Sequence, residues 1–223
     1  MNVVITGASR GIGFELVKCF LSNGHKVLAI SRNEKQLQYL KDEGANTLAF
    51  DLSKTDFTPV CIELSKMGSI DALINNAGAL VNKPFGQLTD AEIKYVFEVN
   101  VFSVFRLIRE MLPYYTQKSH IINISSIGGV QGSVKFPGLS AYSSSKGALS
   151  ILTECLAEEF KSTDLRFNAL ALGSVQTEML QEAFPDFNAT TSPSQMAQFI
   201  YNFATDSGLL FNGKILPVSS STP

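Results

Sequence analysis

The chain has 223 residues, of which 45% are hydrophobic and 17% are charged, a composition typical of a folded globular protein. Its 18 basic and 20 acidic side chains leave a formal net charge of −2, so no basic excess is available to neutralise the phosphates of a nucleic acid or an anionic membrane. No uncharged apolar run approaches the roughly 20 residues that span a bilayer, and we expect neither a nucleic-acid nor a membrane partner.

Short apolar runs alternate with segments of helical periodicity along the first half of the chain. The pattern predicts strands at 3–5, 27–30, 47–50 and 70–74, separated by helices at 11–23, 33–43 and 56–67. The strands are apolar without alternation, which is typical of parallel strands covered by helices on both faces.

The second half continues this order. It predicts strands at 120–124, 165–172 and 214–218, and helices at 89–115, 141–160 and 194–205, the first of them kinked or divided and ending near Pro113. No linker or repeat divides the chain. The sequence therefore predicts one α/β domain over residues 1–223, a doubly wound seven-stranded parallel sheet.

A glycine cluster lies between the first predicted strand and the first predicted helix. Glycine lets the backbone approach a ligand closely, and the free N–H groups at a helix start suit a pyrophosphate. This position favours a dinucleotide-binding turn over an ordinary tight turn. The turn residues assigned to the cofactor are Gly7, Ser9, Arg10, Gly11, Ile12 and Gly13.

The end of the second predicted strand carries no acidic residue, although one usually holds the ribose 2′-hydroxyl of NAD in such folds. Ser31 and Arg32 stand there instead, and Arg10 lies in the glycine turn. A guanidinium pairs with a 2′-phosphate, which a carboxylate would repel. The sequence therefore favours NADP(H) over NAD(H), with a solvated loop charge as the alternative for Arg32.

Four polar residues form a candidate catalytic group. Tyr142 and Lys146 share one face of the predicted helix 141–160, where a lysine ammonium lowers a tyrosine pKa and lets the phenol exchange a proton. Ser126 ends the preceding strand at the edge where ligands bind, and its hydroxyl can hold a substrate oxygen. Asn100 is an amide among apolar residues and needs partners; helix capping or backbone bonding is its alternative role.

These motifs, in this order, resemble the short-chain dehydrogenase/reductase family over almost the whole chain. They are Thr6-Gly7-x3-Gly11-x-Gly13, Asn75-Asn76-Ala77-Gly78, Asn100, Ser126 and Tyr142-x3-Lys146. The resemblance implies a single-domain Rossmann fold with the catalytic site built into its C-terminal half. It also implies an NADP(H)-dependent oxidoreductase that transfers a hydride between the nicotinamide and a carbonyl or secondary alcohol. Such an enzyme is a reductase of ketones or aldehydes, and the 3-oxoacyl type is one candidate.

The resemblance further implies individual roles. Tyr142 is the general acid/base, Lys146 lowers its pKa and holds the nicotinamide ribose, Ser126 polarises the carbonyl, and Asn100 anchors a proton-relay water.

For the cofactor, the resemblance implies that Asp51 binds the adenine amino group beside Leu52, with a strand-end cap as the alternative for Asp51. The other implied cofactor contacts, around the adenosine ribose, the carboxamide and the diphosphate, are Asn76, Ala77, Gly78, Val175 and Thr177.

The chain departs from the family pattern around the substrate. Leu172-Gly173 stands where Pro-Gly is usual, and the segment 178–191 is short, which predicts an open pocket. The helix over Val101–Leu112 is apolar nearly all round and is expected to be buried in the core or between subunits. We therefore expect a homo-oligomer, a dimer or a tetramer.

The three cysteines show no metal-ligand spacing, so we expect no metal site. We expect them to be free thiols, buried at Cys19 and Cys155, and we expect the protein to be cytoplasmic. Two other functions remain open. A non-catalytic NADP(H)-binding sensor typically lacks the tyrosine or the lysine, which are both present here. A sugar-nucleotide epimerase usually carries a larger substrate domain than 223 residues allow.

Overall fold

The computed structural model of the protein describes residues 1–219. Seven strands of this part form one parallel sheet in the spatial order β3-β2-β1-β4-β5-β6-β7. In chain order they are β1 (Asn2–Thr6), β2 (Lys26–Ser31), β3 (Asn46–Ala49), β4 (Ile70–Asn75), β5 (Tyr115–Ser126), β6 (Arg166–Leu172) and β7 (Lys214–Val218). The predicted fold class is confirmed. Ser220, part of the carboxyl-terminal segment, lies outside the described residues.

Helices connect the strands and cover both faces of the sheet. They are α1 (Gly11–Ser22), α2 (Glu34–Asp42), α3 (Thr58–Met67), α4 (Asp90–Phe97), α5 (Ser103–Met111), α6 (Ser140–Glu159), α7 (Glu178–Ala183) and α8 (Pro193–Thr205). Two starts follow directly from the sequence, because Thr89 with Glu92 and Ser192 with Gln195 form capping boxes. No helix within residues 1–219 is long and apolar enough to cross a membrane.

The core lies in two layers, one on each face of the sheet. Successive residues of a strand point to opposite faces, so Val3 packs in the layer with α1, α2 and α8, while Val4 packs in the layer with α3, α5 and α6. Both residues are fully buried. This is why the strands read as continuous apolar runs in the sequence.

The predicted helix at 89–115 is divided in the structure. A π-helical turn, Glu98–Phe102, separates α4 from α5, and the 3-10 turn Leu112–Tyr114 follows α5. Strand β5 already begins at Tyr115, which pairs with Ile70 across a register shift in β4. The strand is therefore longer than the predicted 120–124, because the half-buried Tyr115 belongs to the sheet and not to a helix.

The apolar helical segments are buried on one face only. In the segment 101–112, Val104 and Leu107 face the core, whereas Phe102 and Phe105 are exposed in the single chain, so burial of that outer face between subunits stays a prediction. Cys155 is exposed and Cys19 is half-buried. The expectation that both thiols are buried is therefore wrong, because an apolar neighbourhood in the sequence does not show which face of a helix meets the sheet.

Candidate active site

The carboxyl ends of the central strands open into a cavity of about 650 Å³. Every residue that the sequence assigned to the site lines this cavity except Gly13 and Asn100, which lie directly behind its wall. Parallel strands bring their carboxyl ends to one edge of a sheet, and this is why motifs far apart in the chain meet there.

The glycine turn is shaped for the close approach of a backbone ligand. Gly7 has φ +66°, and a Cβ on it would lie 2.8 Å from Cα of Ala77. A Cβ on Gly13 would lie 2.3 Å from the carbonyl oxygen of Gly7. Side chains at these positions would therefore fill the turn. Helix α1 begins in this turn, so its first N–H groups lie at the edge of the cavity. The turn fits the pyrophosphate of a dinucleotide.

Thr6 holds the loop after β4 against this turn, a role that the sequence analysis did not assign. Its Oγ1 accepts hydrogen bonds from the backbone N–H groups of Asn76, at 3.1 Å, and of Ala77, at 3.0 Å. The Asn76 amide donates in return to the carbonyl oxygen of Thr6 at 3.0 Å. A hydroxyl residue at the last position of the first strand was the available signal.

A group of hydroxyls and guanidinium ions lies at the end of β2. Ser31 Oγ donates to Ser9 Oγ at 2.7 Å, and Arg32 donates to the Tyr95 hydroxyl at 3.5 Å. Arg10 lies in the adjacent turn. Arg32 and Arg10 thus place two guanidinium groups at this end of the cavity, which also carries the carboxylate of Asp51.

Asp51 lies nearby and makes the contacts of a strand-end cap. Its Oδ1 accepts from Ser53 N at 2.9 Å and from Ser53 Oγ at 2.8 Å. Burial raises the pKa of Asp51, but the bonds from Ser53 and the nearby Arg32 outweigh burial, and the net pKa is lowered. The carboxylate is thus ionised at neutral pH, while its role toward adenine stays a prediction.

Arg10 is engaged with the segment that covers the cavity. Its Nη1 lies 2.5 Å from Glu182 Oε1 on α7, and this hydrogen bond is the main reason why the pKa of Arg10 is raised. The ion pair joins the glycine turn to α7 across 172 residues of chain.

Ser126, Tyr142 and Lys146 meet at the centre of the cavity. Ser126 ends β5, and its side chain is hydrogen-bonded to Tyr142, which lies in the first turn of α6. Lys146 Nζ donates to the carbonyl oxygen of Ile124 at 2.7 Å and lies 5.8 Å from the centroid of the Tyr142 ring. The arrangement can hold a substrate oxygen between two hydroxyl donors.

The net pKa shift of Tyr142 is opposite to the one expected from the sequence. Burial raises the pKa of Tyr142, and the hydrogen bond with Ser126 offsets only part of that rise. Burial also lowers the pKa of Lys146 to about 8. Desolvation disfavours the charged form of both groups, so Tyr142 stays protonated at neutral pH and is suited to donate its proton.

Asn100 lies fully buried in the π-helical turn. Its Nδ2 donates to the carbonyl oxygen of Ala79 and to Ser145 Oγ, both at 2.9 Å, and its Oδ1 accepts from Ala79 N at 2.7 Å. These are the contacts of the backbone-bonding alternative. The role of Asn100 as the anchor of a relay water stays a prediction.

Two further residues that the sequence analysis missed position helix α6. Ser145 accepts the bond from Asn100 and donates to the carbonyl oxygen of Tyr142 at 2.7 Å. Gly129 lets α6 approach, since a Cβ there would lie 2.7 Å from the carbonyl carbon of Lys146. The sequence signal for Ser145 was its place beside Lys146 in the Tyr-x3-Lys motif.

The short segment 178–191 lines the cavity through residues of α7 and of the chain after it, and the expectation of an open pocket stays a prediction. Thr177 caps α7 by accepting from Leu180 N at 3.3 Å. At the other end of α7, Asn82 donates to the carbonyl oxygen of Ala183 at 2.8 Å. Leu172, where proline is usual, continues β6 and pairs with Val218.

A family model described as short chain dehydrogenase matches residues 1–188. The chain belongs to the short-chain dehydrogenase family. This short-chain dehydrogenase is 38% identical over 184 residues to an uncharacterized oxidoreductase, YvrD, of Bacillus subtilis, covering 79% of this chain and 69% of that one. It is 31% identical over 181 residues to carbonyl reductase [NADPH] 2 of Sus scrofa, covering 80% and 73%.

Among solved structures, a 4-hydroxyisoleucine dehydrogenase complexed with NADH is similar to this short-chain dehydrogenase, with a TM-score of 0.87 and 27% identity. The match covers 99% of this chain and 97% of that one. The protein is therefore an oxidoreductase of this family, with a site for a nicotinamide cofactor.

Proposed function

We propose that this short-chain dehydrogenase is an NADP(H)-dependent reductase of ketones or aldehydes, with Tyr142 as the proton donor. The observation that carries the proposal is the meeting of Ser126, Tyr142 and Lys146 in one cavity beside the glycine turn. When bound, the nicotinamide supplies or accepts the hydride. The protein's own residues then have to hold the carbonyl oxygen and move one proton.

The proton step follows from the two hydroxyls. Ser126 and Tyr142 both donate toward a carbonyl oxygen placed between them, and the protonated Tyr142 gives up its proton as that oxygen becomes an alkoxide. The Lys146 ammonium stabilises the phenolate that remains. Because the pKa of Tyr142 is raised, the tyrosine is protonated before the reaction, as the proton donor of a carbonyl reduction has to be.

The preference for NADP(H) rests on this chain's own charges. Arg32 and Arg10 flank the end of β2 together with the Ser9–Ser31 hydroxyl pair, and no acidic residue follows β2 directly. A 2′-phosphate would gain charge-assisted hydrogen bonds there. The other cofactor contacts that we propose are those of the glycine turn, Asp51, Leu52, Asn76, Ala77, Gly78, Tyr142, Lys146, Val175 and Thr177.

A homo-oligomer is part of this proposal. Phe102 at the end of the π-helical turn, Phe105 on α5 and Ile151 on α6 are large apolar side chains exposed to solvent in the single chain. Exposed apolar surface of this kind is typical of a protein interface. We propose a dimer or tetramer in the cytoplasm; a chain that elutes as a monomer at micromolar concentration in light-scattering chromatography would contradict the oligomer.

The test compares cofactor affinity and turnover in three variants. Arg32→Ala should weaken NADPH binding about tenfold to hundredfold, since a charge-assisted contact is lost, and leave NADH binding nearly unchanged. Lys35→Ala, which removes an exposed charge at the start of α2, is the matched control. Nicotinamide fluorescence gives both affinities.

Tyr142→Phe should lose carbonyl reduction and keep most of its NADPH affinity, because it removes one hydroxyl and leaves the other proposed cofactor contacts in place. If the wild type binds NADPH tightly but reduces no ketone or aldehyde, the non-catalytic sensor is the better description. If it binds neither cofactor, the proposed function fails.

A further inference from the structure

The cavity extends beyond Tyr142 into a region with apolar walls. Three segments build this region: the loop 130–139 between β5 and α6, the segment 178–191, and the loop after β4. The first supplies Val134, Phe136 and Leu139, and the second supplies Leu180, Phe184 and Phe187. We call these six residues the apolar pocket. The hydroxyl residues Ser126, Tyr142 and Ser143 line the same cavity.

Hydrogen bonds fix the three segments to one another. Lys83 N donates to the carbonyl oxygen of Gly138 at 3.0 Å, and Asn82 Nδ2 donates to that of Ala183 at 2.8 Å. The loop after β4 thus holds both walls of the apolar pocket. These backbone and side-chain hydrogen bonds therefore fix the walls of the apolar pocket relative to one another.

The charged residues that line the cavity belong to its cofactor end. Arg32 and Asp51 lie at the ends of β2 and β3. Arg10 is paired with Glu182, and Glu178 lies against the glycine turn, where a Cβ on Gly11 would meet its Oε2 at 3.4 Å.

Lys146, the remaining charged lining residue, is buried and bonded to Ile124. Two lysines lie on the loops that form the pocket, and both are engaged elsewhere. Lys83 pairs with Glu92 at 2.8 Å, and Lys135 donates to the carbonyl oxygen of Val130 at 2.7 Å. Among the described residues, none of these cations is placed to receive an acidic substrate group in the pocket.

We infer that the substrate is a neutral carbonyl compound with an extended alkyl or aryl group, which the apolar pocket binds beside Tyr142. This inference rests on the proposed function. A carboxylate or phosphate on that group would be desolvated without a partner, at a large cost in affinity. Val134, Phe136 and Phe187 are 47%, 52% and 48% exposed at the mouth, and a longer apolar chain would cover them.

Two substrate pairs test the inference. Hexyl methyl ketone should be reduced with a kcat/KM at least about tenfold above that of ethyl methyl ketone, since each buried methylene group is worth roughly a fourfold gain. Ethyl acetoacetate should be reduced far better than acetoacetate, which carries the charge that the pocket cannot pair.

Variants connect this preference to the pocket. Phe184→Ala should lower kcat/KM for hexyl methyl ketone about tenfold and change that for ethyl methyl ketone by less than about twofold. Phe187→Ser, at a position that is already 48% exposed, should act in the same direction. Phe199→Ser is the matched control, because Phe199 is similarly exposed on α8 and does not line the cavity.

A binding measurement separates this inference from the proposed function. Hexyl methyl ketone should raise the melting temperature of the NADPH-bound Tyr142→Phe variant more than ethyl methyl ketone does, and acetoacetate should have no effect. Equal effects of the two ketones, or preferred reduction of acetoacetate, would overturn the apolar-substrate inference while cofactor binding and reduction stand. Absence of NADPH binding would overturn the proposed function instead.

Discussion

Arg10 and Glu182 form an ion pair, 2.5 Å between closest atoms, that joins the cofactor turn to the helix covering the cavity. The side chains are 49% and 63% exposed, so the pair stabilises the contact between the glycine turn and α7 only weakly. The same guanidinium is a candidate ligand of a 2′-phosphate. Glu182 and the phosphate would then compete for Arg10.

This competition predicts the effect of Glu182→Gln. Removing the carboxylate should strengthen NADPH binding about twofold to fivefold, the range expected from an exposed ion pair, and leave NADH binding unchanged. Fluorescence titration measures both. Asp186→Asn, the same change of charge four residues further along the chain, is the control. An equal gain for NADH would show that the charge acts on something other than the 2′-phosphate.

The buried Lys146 predicts how carbonyl reduction depends on pH. Burial lowers its pKa to about 8, so the ammonium is present below that pH and is lost as the pH rises through it. A neutral amine stabilises the Tyr142 phenolate less, and kcat should fall above about pH 8. The pKa of Tyr142 itself is raised, so this fall reports the lysine.

Lys146→Arg checks the assignment, because a guanidinium stays charged throughout this range. Its maximal rate should be lower, since the side chain has a different shape, but its alkaline fall should move to higher pH. An unchanged alkaline fall in this variant would count against the assignment to Lys146.

The glycine turn predicts a steric effect of Gly13→Ala. A Cβ there would lie 2.3 Å from the Gly7 carbonyl oxygen and 2.5 Å from Asn76 Nδ2, both held in the site. We expect the melting temperature to fall by roughly 3–10 °C and NADPH affinity to be lost. Gly86→Ala, at a position with no atom within 4 Å of the added Cβ, should change neither. Normal cofactor binding by Gly13→Ala would mean that the turn is not the binding site.

His120 predicts a loss of stability in mild acid. It is buried, its Nε2 pairs with Asn168 Nδ2 at 3.0 Å, and burial lowers its pKa from 6.5 to about 4. Between these two values the unfolded chain binds the proton and the folded chain does not. Stability is therefore lost as the pH falls from 6.5 to 4, by up to about 3 kcal/mol.

Urea unfolding at several pH values measures this loss. His120→Gln should be less stable than the wild type at pH 7 but should lose less stability between pH 6.5 and 4. His25→Gln is the control, because His25 is only half-buried at the end of the loop after α1. An equal acid dependence in His120→Gln and the wild type would assign the loss to other groups.

The sequence by itself determined the fold class and which motifs meet at one edge of the sheet. Apolar runs without alternation specify buried parallel strands, and the residues after such strands share one edge of the sheet. For that reason Asn76 after β4, Ser126 at the end of β5 and the glycines after β1 could be placed together without a structure. These are consequences of local periodicity and of one topological rule.

The tertiary structure alone decided the partners and protonation of these groups. Asn100 bonds Ala79 and Ser145, which are 21 and 45 residues away in the chain, and Arg10 bonds Glu182 at a separation of 172. The direction of the Tyr142 pKa shift depends on how deeply the assembled cavity buries the ring. Periodicity reports which face of an element is buried, but contacts between distant segments and the desolvation that they cause arise only when the whole chain is packed.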